Sequence, residues 1–119
     1  MDARHLEAGR AGEEAALRVY LERGFNLVAR NWRCRLGEID LVVARGDLIV
    51  FCEVKTRRGA GFGGGYEAVT AAKRSKLRRL AEVFLLESCL ADATVRMDVA
   101  SVSLWAGRPP SVELFEDAF

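Results

Sequence analysis

Acidic and basic side chains interrupt two apolar segments in the first half of this 119-residue sequence. Asp40 is followed by three apolar residues, and Glu53 and Lys55 come directly after the apolar run at residues 48–52. Residues two apart on a β-strand face the same way, so Glu53 and Lys55 are expected to project side by side. Charges beside a core are costly unless they are paired or bind a metal ion.

The chemistry that such a set supports is metal-assisted hydrolysis of a phosphodiester. A divalent cation would balance Asp40 and Glu53 and take the backbone carbonyl of Cys52 or Val54 with water. Such an ion lowers the pKa of a bound water and neutralises a phosphate oxygen, while Lys55 would orient that water or offset charge in the transition state. The alternative is an ion pair at the rim of a sheet, and the spacing alone favours that simpler interpretation.

The other metal-binding residue types narrow the choice of ion. The three cysteines, Cys34, Cys52 and Cys89, are odd in number and form no Cys-x-x-Cys pair, which argues against a disulfide framework and a structural zinc site. His5 is the single histidine, so a zinc site with the usual nitrogen and sulfur ligands is not expected. Carboxylates must hold any cation here, which favours Mg²⁺ or Mn²⁺.

The net charge of +1 conceals a strong asymmetry along the chain. Residues 53–80 carry eight basic and two acidic side chains, whereas residues 81–119 carry seven acidic and two basic ones. The basic stretch suggests a face that meets an anion such as nucleic acid, and a solvated helix surface explains it equally well. The candidate phosphate contacts are Arg57, Arg58, Lys73, Arg74 and Lys76. Lys73 and Lys76 are expected to flank the helix core rather than to form a separate stripe.

The hydrophobic pattern predicts one α/β domain over residues 1–119. The predicted elements are a helix at 5–23, strands at 25–33, 38–44 and 48–56, a glycine-rich loop at 57–65, a helix from Thr70 to about residue 88, a strand at 94–102 and a short edge strand at 112–115 after a break at Pro109-Pro110. The short connection at residues 45–47 makes the second and third strands an antiparallel hairpin. The sheet is therefore mixed, with four or five strands flanked by helices.

Several single residues receive structural assignments. Gly9 and Gly12 are expected to let another element approach the first helix closely. Trp32 is assigned to the core rather than to base stacking, and Asp98 is expected to pair with Arg96 or an arginine of a loop. In the predicted fourth strand, the alternating Val95, Met97 and Val99 are expected to face inward.

Two further patterns lead to negative predictions. Residues 59–64 match G-x-G-x-x-G, but the preceding strand belongs to a hairpin rather than a βαβ unit, so dinucleotide binding is rejected. A loop that closes over nucleic acid is the preferred interpretation. Nothing in the sequence approaches the length of a membrane-spanning segment, and the first residues lack an apolar signal core, so a cytoplasmic protein is expected.

The order of these motifs resembles that of the bacterial YraN-type proteins. The matching runs are GRAGE at 9–13, RNWR at 30–33, GEIDL at 37–41, FCEVKTR at 51–57, EAVT at 67–70 with Lys73, and VRMDV at 95–99. The resemblance covers nearly the whole chain, and its motifs follow in the expected order. That family is similar to archaeal Holliday-junction resolvases and to the PD-(D/E)xK restriction-endonuclease-like nucleases.

This resemblance implies a fold and a set of roles. The fold would be restriction-endonuclease-like, with Asp40, Glu53 and Lys55 as the motif residues and Glu13 as an additional acid from the first helix. Asp40, Glu53 and Glu13 would hold Mg²⁺ or Mn²⁺, the substrate would be branched DNA, and the chain would form a homodimer. Two alternatives remain: a nucleic-acid-binding module that keeps the fold but does not cut, and an interaction protein whose basic helix meets an acidic partner.

Overall fold

The computed structural model describes residues 3–59 and 70–119, which form two helices and five strands. In chain order the elements are α1 (Ala3–Glu22), β1 (Asn26–Cys34), β2 (Gly37–Arg45), β3 (Leu48–Arg58), α2 (Ala71–Glu87), β4 (Thr94–Trp105) and β5 (Arg108–Phe115). The predicted order of helix, three strands, helix and further strands is confirmed.

The five strands form one mixed sheet in the order β1-β2-β3-β4-β5. β3 and β4 run parallel, and the crossover between them contains α2; the other neighbours pair antiparallel, including the predicted β2–β3 hairpin. One core cluster lies between the sheet and α1, and a second cluster lies between the sheet and α2. This α/β architecture is compatible with the restriction-endonuclease-like fold.

Helix α1 packs closely on the sheet because its inward face carries small residues. Ala15 and Ala16 are buried there beside Tyr20. A Cβ atom on Gly12 would lie 2.9 Å from Cβ of Thr56 on β3, so only glycine fits at this crossing. Among the described residues, no atom lies within 4 Å of the corresponding position at Gly9. The predicted close approach is therefore confirmed for Gly12, whereas no described element makes one at Gly9.

Helix α2 begins at a side-chain cap and buries a single apolar face. Thr70 is the N-cap, as predicted, and its Oγ1 accepts a hydrogen bond from the backbone N–H of Lys73 at 3.2 Å. The buried face comprises Leu77, Leu80, Ala81 and Phe84. Trp32 meets Phe84 edge to face with ring centroids 5.3 Å apart, so its assignment to the core is confirmed. Neither described helix is long and apolar enough to cross a membrane.

The third strand differs from its prediction at its end. Arg57 and Arg58 belong to β3, where they pair with residues 103 and 104 of β4, rather than to a glycine-rich loop. Parallel pairing to β4, which sequence pattern did not reveal, extends the strand. Residues 60–65 of the predicted loop lie outside the described residues.

The last two strands also differ from the predictions. Val95 is 40% exposed, while residues 97–102 are all buried, because α1 and α2 cover both faces of β4 and remove the expected alternation. Pro109 and Pro110 do not break the chain but lie in β5. An edge strand tolerates proline because one row of its backbone groups has no partner strand.

Candidate functional site

The site lies where the pairing of β2 and β3 stops. The last paired residues of this hairpin are Leu41 and Cys52. Immediately beyond them, the backbone N–H of Val54 donates to Oδ2 of Asp40 at 2.8 Å, in place of a carbonyl of the neighbouring strand. A buried N–H needs a partner, so this bond fixes the Asp40 carboxylate between the two strands.

Three carboxylates from α1 and β2 gather at this point. One oxygen from each of Glu13, Glu38 and Asp40 lies within 4.8 Å of the other two, and each of these residues is half-buried. Glu13 comes from the middle of α1, and Glu38 lies two residues before Asp40 on β2. The structure thus brings the predicted Glu13 to Asp40 and adds Glu38 as a third acid.

Asn31 of β1 bridges two of these acids and was missed by the sequence reasoning. Its Nδ2 donates to Oε2 of Glu13 and to Oε1 of Glu38, both at 2.9 Å. Asn31 lies between Arg30 and Trp32, which pair with Leu41 and Ile39 on either side of Asp40, and its backbone is in the left-handed region at φ 53°. Asparagine is among the few residues that tolerate this conformation. An asparagine within a strand, where it is disfavoured, was the available signal.

Two arginines of β1 form ion pairs with acids of this group. Nε of Arg30 lies 3.6 Å from Oε1 of Glu13, and its NH1 donates to Glu14 at 2.9 Å. Nε of Arg33 lies 3.0 Å from Oε2 of Glu38. The charges of Glu13 and Glu38 are therefore partly balanced by arginine.

The protonation of Asp40 reflects this crowding. Burial, followed by repulsion from Glu53, raises the pKa of Asp40 to about 7, and Glu13 and Glu38 add to the effect. The hydrogen bond from Val54 opposes the shift but does not cancel it. A group of oxygen ligands that repel one another fits a hard dication such as Mg²⁺ or Mn²⁺, which would offset the repulsion.

Glu53 is nearly buried and is held by two lysines. Nζ of Lys73, from the first turn of α2, lies 2.8 Å from its Oε1, and Nζ of Lys55 lies 3.6 Å from the same oxygen. Burial, together with the neighbouring Lys73 ammonium, lowers the pKa of Lys55. Burial also disfavours the charged form of Lys73, but its contact with Glu53 outweighs this and raises its pKa.

The structure brings together the residues predicted to be catalytic or to bind the metal, and it separates the predicted nucleic-acid contacts into one inside the site and four around it. Asp40, Glu53, Lys55 and Glu13 converge as expected, although Glu53 is not one of the three carboxylates that lie within 4.8 Å of one another. Lys73, predicted as a phosphate contact, lies inside the site.

The remaining predicted nucleic-acid contacts lie around this centre. Arg57 follows Lys55 by two positions on β3 and so shares its face, whereas Arg58 at the end of the strand lies on the other face. Arg74 and Lys76 lie in the first half of α2. Lys76 is exposed and extends over Gly37, where β2 begins.

Asp98 is a second buried carboxylate with a different environment. It accepts hydrogen bonds from the Tyr20 hydroxyl at 2.6 Å, from two nitrogens of Arg96 at 3.0 Å and from the backbone N–H of Asp117 at 3.0 Å. These donors satisfy its oxygens, so the predicted structural role and the pairing with Arg96 are confirmed.

Comparison with known proteins assigns the chain to a family. The sequence profile described as "Uncharacterised protein family UPF0102" matches residues 12–102, which include every acid and lysine of the site.

The chain is also similar to individual bacterial UPF0102 proteins. It is 45% identical over 117 residues to one from Rhodococcus opacus (strain B4), covering 98% of this chain and 99% of that protein. It is 51% identical over 94 residues to one from Parafrankia sp. (strain EAN1pec), covering 79% and 80%, respectively. A relative from Pelotomaculum thermopropionicum is 45% identical over 119 residues, covering 99% and 98%. The predicted relationship to the YraN-type proteins is confirmed, and the chain belongs to the UPF0102 family.

Proposed function

We propose that this protein is a metal-dependent endonuclease that hydrolyses phosphodiester bonds in branched or otherwise structured DNA. The observation that carries the proposal is the convergence of Glu13, Asp40, Glu53 and Lys55, from one helix and two strands, at the point where β2 and β3 part. Acids that repel one another and a lysine at close range are the groups that metal-assisted phosphodiester hydrolysis requires.

The acids of the site would hold the cation. Asp40 and Glu53 would be its main ligands, with Glu13 and Glu38 next to Asp40. Bound Mg²⁺ or Mn²⁺ would supply Lewis-acid activation of water and of a phosphate oxygen. The Val54 N–H holds Asp40 in place at 2.8 Å, so this ligand is ordered by the sheet rather than by the ion.

Lys55 would act at the reacting phosphate. Its Nζ is positioned 3.6 Å from Glu53 Oε1, on the strand face shared by the two residues. From there the ammonium would orient the attacking water or offset negative charge on the phosphate. Its lowered pKa makes release of a proton at Nζ easier than from an ordinary lysine.

The basic surface around the site supports a nucleic-acid substrate. Arg57 continues the face of Lys55, and Arg74 and Lys76 project from α2. Each phosphate contact would release counterions and make binding salt-dependent. The choice of branched DNA rests on the likeness to Holliday-junction resolvases, and it implies a homodimer, because a four-way junction has two-fold character. The relatives are bacterial, so the proposed setting is the cytoplasm, where bacterial DNA lies.

The proposal is tested by cleavage of labelled four-way junction, flap, duplex and single-stranded DNA with Mg²⁺ or Mn²⁺. Metal-dependent cutting is expected for wild type and should be lost in Glu53→Gln and in Lys55→Ala. Glu87→Gln is the matched control, because Glu87 is an exposed acid at the far end of α2. Absence of cutting, together with salt-sensitive binding that survives both substitutions, would leave a non-catalytic nucleic-acid-binding module instead.

A further inference from the structure

Lys73 makes the shortest ion pair to the nearly buried acid of the site. Its Nζ lies 2.8 Å from Oε1 of Glu53, compared with 3.6 Å for Lys55, and the Glu53 side chain is only 10% exposed. The backbone of Lys73 is itself fixed, because its N–H donates to the Thr70 cap at 3.2 Å. The start of α2 is therefore tied to β3 through one lysine–glutamate pair.

This pair balances a charge that would otherwise be costly. A carboxylate at the depth of Glu53 needs a counter-charge when no metal ion is bound, and Lys73 supplies it. A dication at the same carboxylate would bring a third positive group to an oxygen that already faces two ammonium groups. Mutual repulsion then favours the departure of one ammonium.

Of the two lysines, Lys73 can move its ammonium away from Glu53 more easily. Lys55 is only two residues from Glu53 on the same strand and shares its face, so its ammonium stays close to the carboxylate. The Lys73 side chain is 37% exposed and reaches Glu53 from a different element, so rotation of its own bonds returns the ammonium to solvent.

We propose that Lys73 is the resident counter-ion of Glu53 in the cation-free protein and is released when a divalent cation binds, which frees its ammonium for a nucleic-acid phosphate. Lys73 is thus a positioning residue that couples α2 to the site. This inference rests on the cation site of the proposed function, but it does not require that the protein cleave DNA.

Binding of Mn²⁺ alone, measured by titration calorimetry without DNA, tests the counter-ion role. Lys73→Gln should bind Mn²⁺ about tenfold more tightly than wild type, because the cation no longer has to break the Lys73–Glu53 ion pair, an attraction between unit charges about 3 Å apart under water-like screening. Lys73→Arg, which keeps the charge, should bind as wild type does. Arg79→Gln is the matched control, because Arg79 is an exposed basic residue farther along the same helix, and it should change the affinity by less than about twofold.

A second measurement uses the wild-type protein and so does not depend on the folding of a variant. The sequence contains three lysines, Lys55, Lys73 and Lys76, so selective ¹⁵N labelling of lysine Nζ gives three NMR signals. Addition of Mg²⁺ should move the Lys73 signal to the position of a solvated ammonium and leave that of Lys76 unchanged.

The outcomes separate this inference from the proposed nuclease activity. The counter-ion role would be overturned by unchanged or weaker Mn²⁺ binding in Lys73→Gln, or by the absence of any metal binding. It would also be overturned if the Lys73 NMR signal did not shift when Mg²⁺ is added. Tighter binding by Lys73→Gln in a protein that cuts no DNA would support the counter-ion role and reject only the nuclease.

Discussion

Asp40→Asn is expected to stabilise the cation-free protein above neutral pH, although it removes a central residue of the site. Burial and the repulsion from Glu53 raise the pKa of Asp40 from 3.8 to about 7 in the folded chain. The unfolded chain therefore loses this proton at lower pH than the folded chain does. Folding stability falls by about 1.4 kcal/mol for each pH unit between these two values and is then level above the folded pKa.

The expected gain in stability of Asp40→Asn follows from the size of the pKa shift and from the partial solvent exposure of the carboxylate. The full shift corresponds to about 4 kcal/mol, and solvent screening at a half-buried carboxylate reduces the expected gain to about 2 kcal/mol near pH 8. Asparagine keeps an oxygen to accept the Val54 N–H, so the side-chain link between β2 and β3 is retained. For a chain of this size the gain corresponds to a rise in Tm of about 8 °C. Near pH 5 the difference should shrink to less than about 1 kcal/mol.

The assay is urea and thermal unfolding followed by circular dichroism, with EDTA present, near pH 5 and near pH 8. Asp92→Asn serves as the matched control, because Asp92 is an exposed aspartate in a turn, and its effect should be small. A loss of stability in Asp40→Asn near pH 8, or a gain that is the same at both pH values, would refute the reasoning. Either result would mean that the folded protein carries the Asp40 charge without cost.

Two packing predictions concern the elements that hold the site. Gly12→Ala should destabilise the protein by about 1–3 kcal/mol, because its Cβ would lie 2.9 Å from Cβ of Thr56. Gly9→Ala, on the same helix and with no described atom within 4 Å of the new Cβ, should be neutral or stabilising by up to about 1 kcal/mol. Equal urea midpoints for the two variants would contradict the close crossing of α1 and β3. Tyr20→Phe removes the 2.6 Å hydrogen bond to buried Asp98 and should cost about 1–3 kcal/mol in urea unfolding; an unchanged midpoint would show the bond to be dispensable.

The fold was predictable wherever a local signal determines the structure. Helix α1 shows a helical repeat, α2 begins at the Thr70 cap, and the short turn at residues 45–47 forces β2 and β3 into a hairpin. Prediction failed where tertiary contacts override the local signal. Strand β4 is covered on both faces and so loses its alternation, and β5 accommodates Pro109 and Pro110 because it lies at the sheet edge.

The same distinction applies to the site. Asp40, Glu53 and Lys55 were identifiable because each interrupts an apolar strand, and their spacing along β2 and β3 encodes their proximity. The contact of Lys73 with Glu53 was not identifiable, because it depends on how the crossover places α2 over the sheet.

The bridge made by Asn31 could not be predicted in detail, although an asparagine within a strand was a signal that the position is unusual. It depends on a left-handed backbone conformation within β1, and no periodic pattern in the sequence signals that conformation.

Two carboxylates in one sheet, the buried Asp98 and the half-buried Asp40, have opposite surroundings, and the contrast bears on function. Asp98 accepts hydrogen bonds from a tyrosine, an arginine and a backbone N–H, as expected of an acid whose role is to stabilise the fold. Asp40 accepts a backbone hydrogen bond but faces three other acids that raise its pKa. The donors around Asp98 stabilise the folded protein, whereas the acids around Asp40 repel its charge and destabilise it. Fold stability therefore does not explain the acids around Asp40. Acids that repel one another in this way are typical of a position that binds a positively charged ligand. The arrangement therefore favours a cation site over a simple ion pair at the rim of the sheet.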